Sequence, residues 1–179
     1  MIKAYTLIET VIMLAIMMTI AGITITITTD YASDTLKKDL FLLDLTIQRL
    51  TQEAISSNTK KYLYLDPKNN RFFYKKGEKP YIFNLHKENF FGFLPSIKGP
   101  PSNPKSLIKS YTTFDQEGDC NVITLYPDGS SSAGSVYLIC PKKQKICALT
   151  CSVSQVLWNR RYLYHNATWT LIGYQYDEK

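Results

Sequence analysis

The sequence predicts an α+β protein: one long N-terminal helix, first membrane-spanning and then amphipathic, packed on an antiparallel β domain. Three observations predict it. An uncharged run extends from Thr10 to Thr29. An apolar stripe with helical spacing follows it directly. Beyond Asn58 the chain changes to short aromatic and β-branched runs separated by turn residues. The 179 residues suffice for one helix and one compact domain. Hydrophobic residues make up 45% and charged residues 20%, a balance that excludes a disordered chain. The net charge of +6 is mildly basic and does not by itself imply a polyanion partner.

Residues 1–4 form a short leader with one charge, Lys3. The uncharged run of 20 residues would rise about 30 Å as a helix, the thickness of a bilayer's hydrocarbon core. A membrane span is therefore expected over about residues 8–29. Thr24 to Thr29 alternate threonine and isoleucine, a strand-like period. A lone strand in lipid leaves its backbone unpaired, so helix is expected there too. A secretory signal would be shorter, with a small-residue cleavage site after the apolar stretch. Glu9 stands at the head of this run, where a carboxylate is costly in lipid and points to function; helix-dipole placement at an interface is the competing reading.

The amphipathic part follows. Leu36, Leu40, Leu43, Ile47, Leu50 and Ala54 recur at spacings of four and three, one apolar stripe for core packing. Ser56-Ser57-Asn58 is the expected stop. The helix is thus expected over residues 5–57, with residues 58–179 forming the β domain.

In that domain, Lys61–Leu65 and Arg71–Tyr74 read as a hairpin about Asp66-Pro67-Lys68-Asn69-Asn70. Tyr81–Leu85, Asn89–Leu94 and Leu107–Phe114 are further strand candidates, with a Pro- and Gly-rich loop over Pro95–Pro104. Asn121–Tyr126 and Ser135–Cys140, joined by Pro127-Asp128-Gly129-Ser130, read as a second hairpin. Lys145–Thr150, Gln155–Tyr164 and Ala167–Tyr176 complete the series.

Four cysteines lie in the last third: Cys120, Cys140, Cys147 and Cys151. On one straight strand Cys147 and Cys151 would stand about 13 Å apart, beyond the ~7 Å a disulfide allows. Cys140 with Cys120 or with Cys147 is the easier pairing, and buried free thiols are the alternative. No CxxC pair exists for zinc, and His86 and His165 lack metal spacing. No catalytic motif is present, so no enzyme activity, cofactor or metal is expected. Lys142, Lys143, Lys145, Arg160 and Arg161 cluster in sequence near Trp158 and Tyr162. Such a mixture can contact nucleic acid, and a solvated strand face is the plainer reading. Asn166-Ala167-Thr168 matches a glycosylation triplet of a kind that arises by chance.

Lys3-Ala4-Tyr5-Thr6-Leu7-Ile8-Glu9, followed by the apolar run, resembles the start of type IV prepilins and type II secretion pseudopilins. The resemblance implies cleavage between Ala4 and Tyr5 by a prepilin peptidase, N-methylation of Tyr5, and a Glu9 that pairs with the terminal amine of a neighbouring subunit. It also implies an N-terminus in the cytoplasm, a single pass through the bacterial inner membrane, and a domain in the periplasm or outside. Lys3 agrees with that orientation, whereas Lys37 and Lys38 oppose it. Ala4 stands where the family has glycine, and Tyr5 where it has phenylalanine. Ile123 to Leu138, with Pro127-Asp128-Gly129-Ser130, resembles the hairpin of H-type minor pseudopilins; Thr150-Cys151-Ser152 stands in place of their Thr-Gly turn. The implied function is a structural pilin or pseudopilin subunit whose partners are like subunits. DNA capture by a minor pilin is the alternative.

Overall fold

The computed structural model describes residues 7–101, 104–152, 159–165 and 167–172, without the side chains of residues 7, 10, 20–34 and 143. Helix α1 covers Leu7–Ser57. It stops at Asn58, whose φ of 50° turns the chain left-handed. The Asn58 and Thr59 amides then donate to the Ile55 and Ala54 carbonyls, at 3.2 Å each, which satisfies carbonyls that the helix end leaves open.

Ten strands follow: β1 Lys61–Asp66, β2 Arg71–Lys76, β3 Lys79–Asn84, β4 Phe90–Phe91, β5 Gln116–Glu117, β6 Cys120–Leu125, β7 Gly134–Cys140, β8 Lys145–Cys151, β9 Arg160–His165 and β10 Thr168–Leu171. They form two antiparallel five-stranded sheets, ordered β3-β2-β1-β6-β5 and β10-β9-β8-β7-β4. A single turn of 3-10 helix at Pro141–Lys143 joins β7 to β8. The main core lies between the sheets and the C-terminal half of α1. Leu36, Leu40, Leu43, Ile47, Leu50 and Ala54 meet Leu63, Leu65, Phe72 and Ile123 of the first sheet and Leu138, Cys147 and Leu149 of the second.

The second sheet is covered on both faces. Residues pointing away from α1 (Tyr137, Ile146, Ala148 and Tyr162) pack under Ile97 and Ile108 of the long loop. That loop holds itself by the Ile108 amide donating to the Ile97 carbonyl at 3.0 Å, and Trp169 Nε1 ties it down by donating to the Lys98 carbonyl at 2.8 Å. Leu107–Phe114, expected as a strand, forms only isolated bridges at Leu107 and Thr112.

The expected class is corrected in two respects. The chain is mostly antiparallel sheet, in two sheets instead of one domain hung on a membrane-spanning helix. Among the described residues no helix is long and apolar enough to cross a membrane. The expected transmembrane segment over residues 8–29, and the single-pass inner-membrane location derived from it, are therefore withdrawn.

A further correction concerns the hairpin expected from Asn121–Tyr126 and Ser135–Cys140. β6 and β7 do not pair; they belong to different sheets. The Pro127-Asp128-Gly129 turn folds the chain back along β6 itself, with Ser131 bridging Leu125 and the Ser132 amide donating to the Thr124 carbonyl at 2.8 Å. Gly129, at φ 84°, makes the turn. The chain then crosses to the second sheet at Gly134, where an added Cβ would stand 2.6 Å from the Phe114 ring.

The β1–β2 turn is closed by Asp66, only 7% exposed in its side chain. It accepts from the Asn69 amide at 3.1 Å, Asn69 Nδ2 at 2.8 Å and Arg71 Nε at 2.9 Å. Burial alone would raise its pKa, but the hydrogen bonds from Asn69 and Arg71 outweigh it and hold the carboxyl below the ordinary range. A carboxylate with a depressed folded pKa adds stability above its unfolded value of about 4, and that stability is lost as the pH falls through the folded value. Wild type should therefore lose stability below about pH 4 more steeply than Asp66→Asn, as measured by urea unfolding at pH 7 and pH 3. Parallel acid limbs would remove Asp66 as a contributor.

Candidate functional site

The sequence nominated three places, and the structure keeps them apart. At the N-terminal end, Ala4 and Tyr5, the expected cleavage pair, lie outside the described residues. Glu9 is exposed in the first turn of α1. Around it stands a belt of apolar side chains: Ile8, Val11, Ile12, Met13, Leu14, Ile16, Met17 and Met18, each 53–71% exposed. Residues 11–14 and 16–18 point in all directions about the helix axis, since successive residues turn by about 100°. No side of this stretch faces its own domain.

The basic cluster is dispersed. Lys142 is exposed and pairs with Glu88 at 3.2 Å. Lys145 is half-buried at the start of β8. Arg160 and Arg161 are neighbours on β9, so they face opposite sides of the sheet. Arg160 is exposed. Arg161 is 6% exposed and faces α1, its Nε 3.5 Å from Oδ2 of the fully buried Asp44. Its guanidinium lies 5.2 Å from the centre of the Phe41 ring. Asn159 Nδ2 donates to the other Asp44 oxygen at 2.8 Å. Trp158 and the side chain of Lys143 lie outside the described residues. The described members of the expected nucleic-acid cluster thus form no common surface, because strand alternation spends Arg161 on an internal ion pair.

All four cysteines are free. Cys140, Cys147 and Cys151 belong to the core facing α1, whereas Cys120 is half-exposed on the first sheet. Burial pushes the thiols of Cys147 and Cys151 up to about 12, and also raises that of Cys120. A thiol so raised is a poor nucleophile. Of the expected pairings, Cys140 with Cys147 comes nearest. Cys140 is opposite Lys145 and Cys147 opposite Leu138, so the two cysteines are diagonal neighbours about 7–8 Å apart, at the limit of disulfide reach. Cys120 lies in the other sheet. Neither histidine sits in a metal-ligating group among the described residues.

Two residues of structural weight escaped the sequence reading, both on α1. One is Asp44, described above. The other is Asp39, whose Oδ2 accepts from the His86 amide at 2.9 Å and from Asn89 Nδ2 at 2.7 Å. The signal was there: both carboxylates sit one residue from a stripe leucine, Leu40 or Leu43, and so at the margin of the buried face. No family model matches this chain, and no curated protein or solved structure matches it.

Proposed function

We propose that the chain is a structural subunit of a pilus or pseudopilus of the type IV pilin kind, joining its neighbours through the N-terminal part of α1 after a prepilin peptidase has removed residues 1–4. The exposed apolar belt from Ile8 to Met18 is the observation that carries this reading. A helix apolar on every side is stable in its working state only when buried all round. The chain's own domain covers none of it. Equivalent helices of neighbouring subunits would bury it in a bundle, as coiled-coil seams are buried. Glu9, in the first turn, would then meet a neighbour's terminal amine, as the resemblance implies. A carboxylate and an ammonium desolvated together cost far less than either alone, so this pair sets the axial register. Function on this reading is assembly, without turnover. The resemblance at Thr6-Leu7-Ile8-Glu9 is the second support.

The test is incorporation. In its host, the double variant Ile12→Asp/Ile16→Asp should fall at least tenfold in the sheared-filament fraction, at unchanged cellular level. A single cysteine at Met13→Cys should cross-link to neighbouring subunits in the same fraction. Recovery of the double variant at wild-type level would end the proposal.

A further inference from the structure

The face of the first sheet turned away from α1 carries a surface of a different kind. Val122, Tyr64, Phe73 and Ile82 stand in one row across β6, β1, β2 and β3. Tyr64 and Phe73 stack at 5.1 Å with 13° between their planes. Tyr62 and Ile82 extend the apolar patch and are 44% and 46% exposed. Cations sit on the rings: Arg71 at 5.8 Å from the Phe73 centre, Lys75 at 5.9 Å from Tyr64, and Lys60 at 5.2 Å from Tyr126 at the edge. Asp66 neutralises Arg71. Among the described residues no carboxylate pairs with Lys60 or Lys75, both exposed. A second acidic group, Glu117 of β5, is close enough to raise the Tyr64 pKa, though less than burial does.

We propose that this face docks an acidic, apolar-centred segment of a partner protein, with Tyr62 and Ile82 as apolar anchors and Lys60 and Lys75 as the charged rim. Charge complementarity chooses the occupant. An aromatic centre bordered by cations is the composition of a protein interface, and the open rim charges favour a negative partner. A second copy placed symmetrically would bring the same lysines together, which costs free energy. Single-stranded nucleic acid would need open ring faces for its bases. Tyr64 and Phe73 already give theirs to each other, to Lys75 and to Arg71. The partner lies across the face and does not add a strand at its rim, because Pro80 removes an amide from the outermost strand and Lys79 charges it. This surface lies on the far side of the sheet from α1 and stands whether or not the chain assembles through its N-terminal belt.

The test uses the full-length chain and fluorescein-labelled poly(Glu,Tyr) copolymer, followed by anisotropy. Saturable binding is expected, weakened at least tenfold by Lys60→Glu/Lys75→Glu and several-fold by Tyr62→Ala/Ile82→Ala. Arg160→Glu, on the other sheet, should leave it unchanged. All these side chains are exposed or about half-exposed, and a thermal melt of each variant verifies folding. Copolymer binding indifferent to both double variants would overturn the proposal. So would binding of a thymidine 20-mer in place of the copolymer, lost with the same substitutions, which would assign the face to nucleic acid. Sedimentation showing dimerisation abolished by Tyr62→Ala/Ile82→Ala would likewise overturn it in favour of self-association.

Discussion

Arg161→Met should destabilise the fold by about 3–5 kcal/mol, although it replaces one long side chain by another. The loss comes from Asp44, which is fully buried and would keep only Asn159 as a partner. A buried carboxylate stripped of its cation costs about that much. Replacing both charges should be far milder, because buried pairs exchanged for apolar groups of similar size are often near neutral. Arg161→Met/Asp44→Leu is therefore expected to regain most of the loss. Arg160→Met, one residue away and exposed, should stay within about 0.5 kcal/mol. Urea unfolding of wild type and these three variants measures the losses. An Arg161→Met cost no greater than that of Arg160→Met would show that the pair contributes nothing.

The second large effect is expected at Leu43. It is fully buried between α1 and the sheets, and Leu43→Ala should cost about 2–5 kcal/mol, the transfer of the lost carbons plus the cavity left behind. Leu45, two residues on and 41% exposed, provides the contrast: Leu45→Ala should cost less than about 1 kcal/mol. The comparison isolates burial, since both changes alter helix propensity equally. Equal losses at the two positions would mean that α1 does not seat on the sheets by its stripe.

What could be read in the sequence follows from which contacts are local. The stripe from Leu36 to Ala54 was legible because helix burial repeats at 3.6 residues, and all six positions are at most 1% exposed. The stop at Asn58 was legible because its left-handed cap is encoded by residues beside it. Pairing between distant strands is not local, and there the reading failed. Asn121–Tyr126 and Ser135–Cys140 look like two arms of a hairpin, yet the turn between them sends the chain back on its own strand and then into another sheet. Nothing in a strand's own alternation names its neighbour. Leu107–Phe114 was misread as a strand for a related reason: it belongs to the long loop, which Ile97 and Ile108 anchor without any regular period. The basic cluster was misjudged for the opposite reason. Adjacent strand residues must face apart, so Arg160 and Arg161 could never share one surface. The acidic positions of α1 were overlooked because a carboxylate near an apolar stripe reads as solvent-facing until its partner, tens of residues away, is known.

Asp39 and Asp44 are five residues apart, so their directions about the helix axis differ by about 140°. Asp39 is bonded to the chain leaving the first sheet, and Asp44 to β9 of the second. The helix is thus keyed like a shaft with two pins on different sides. Torque applied at its tip, in either sense, loads one pin or the other, and twist cannot dissipate as slippage within the core. Rotation of α1 about its axis at these two positions therefore strains contacts to both sheets.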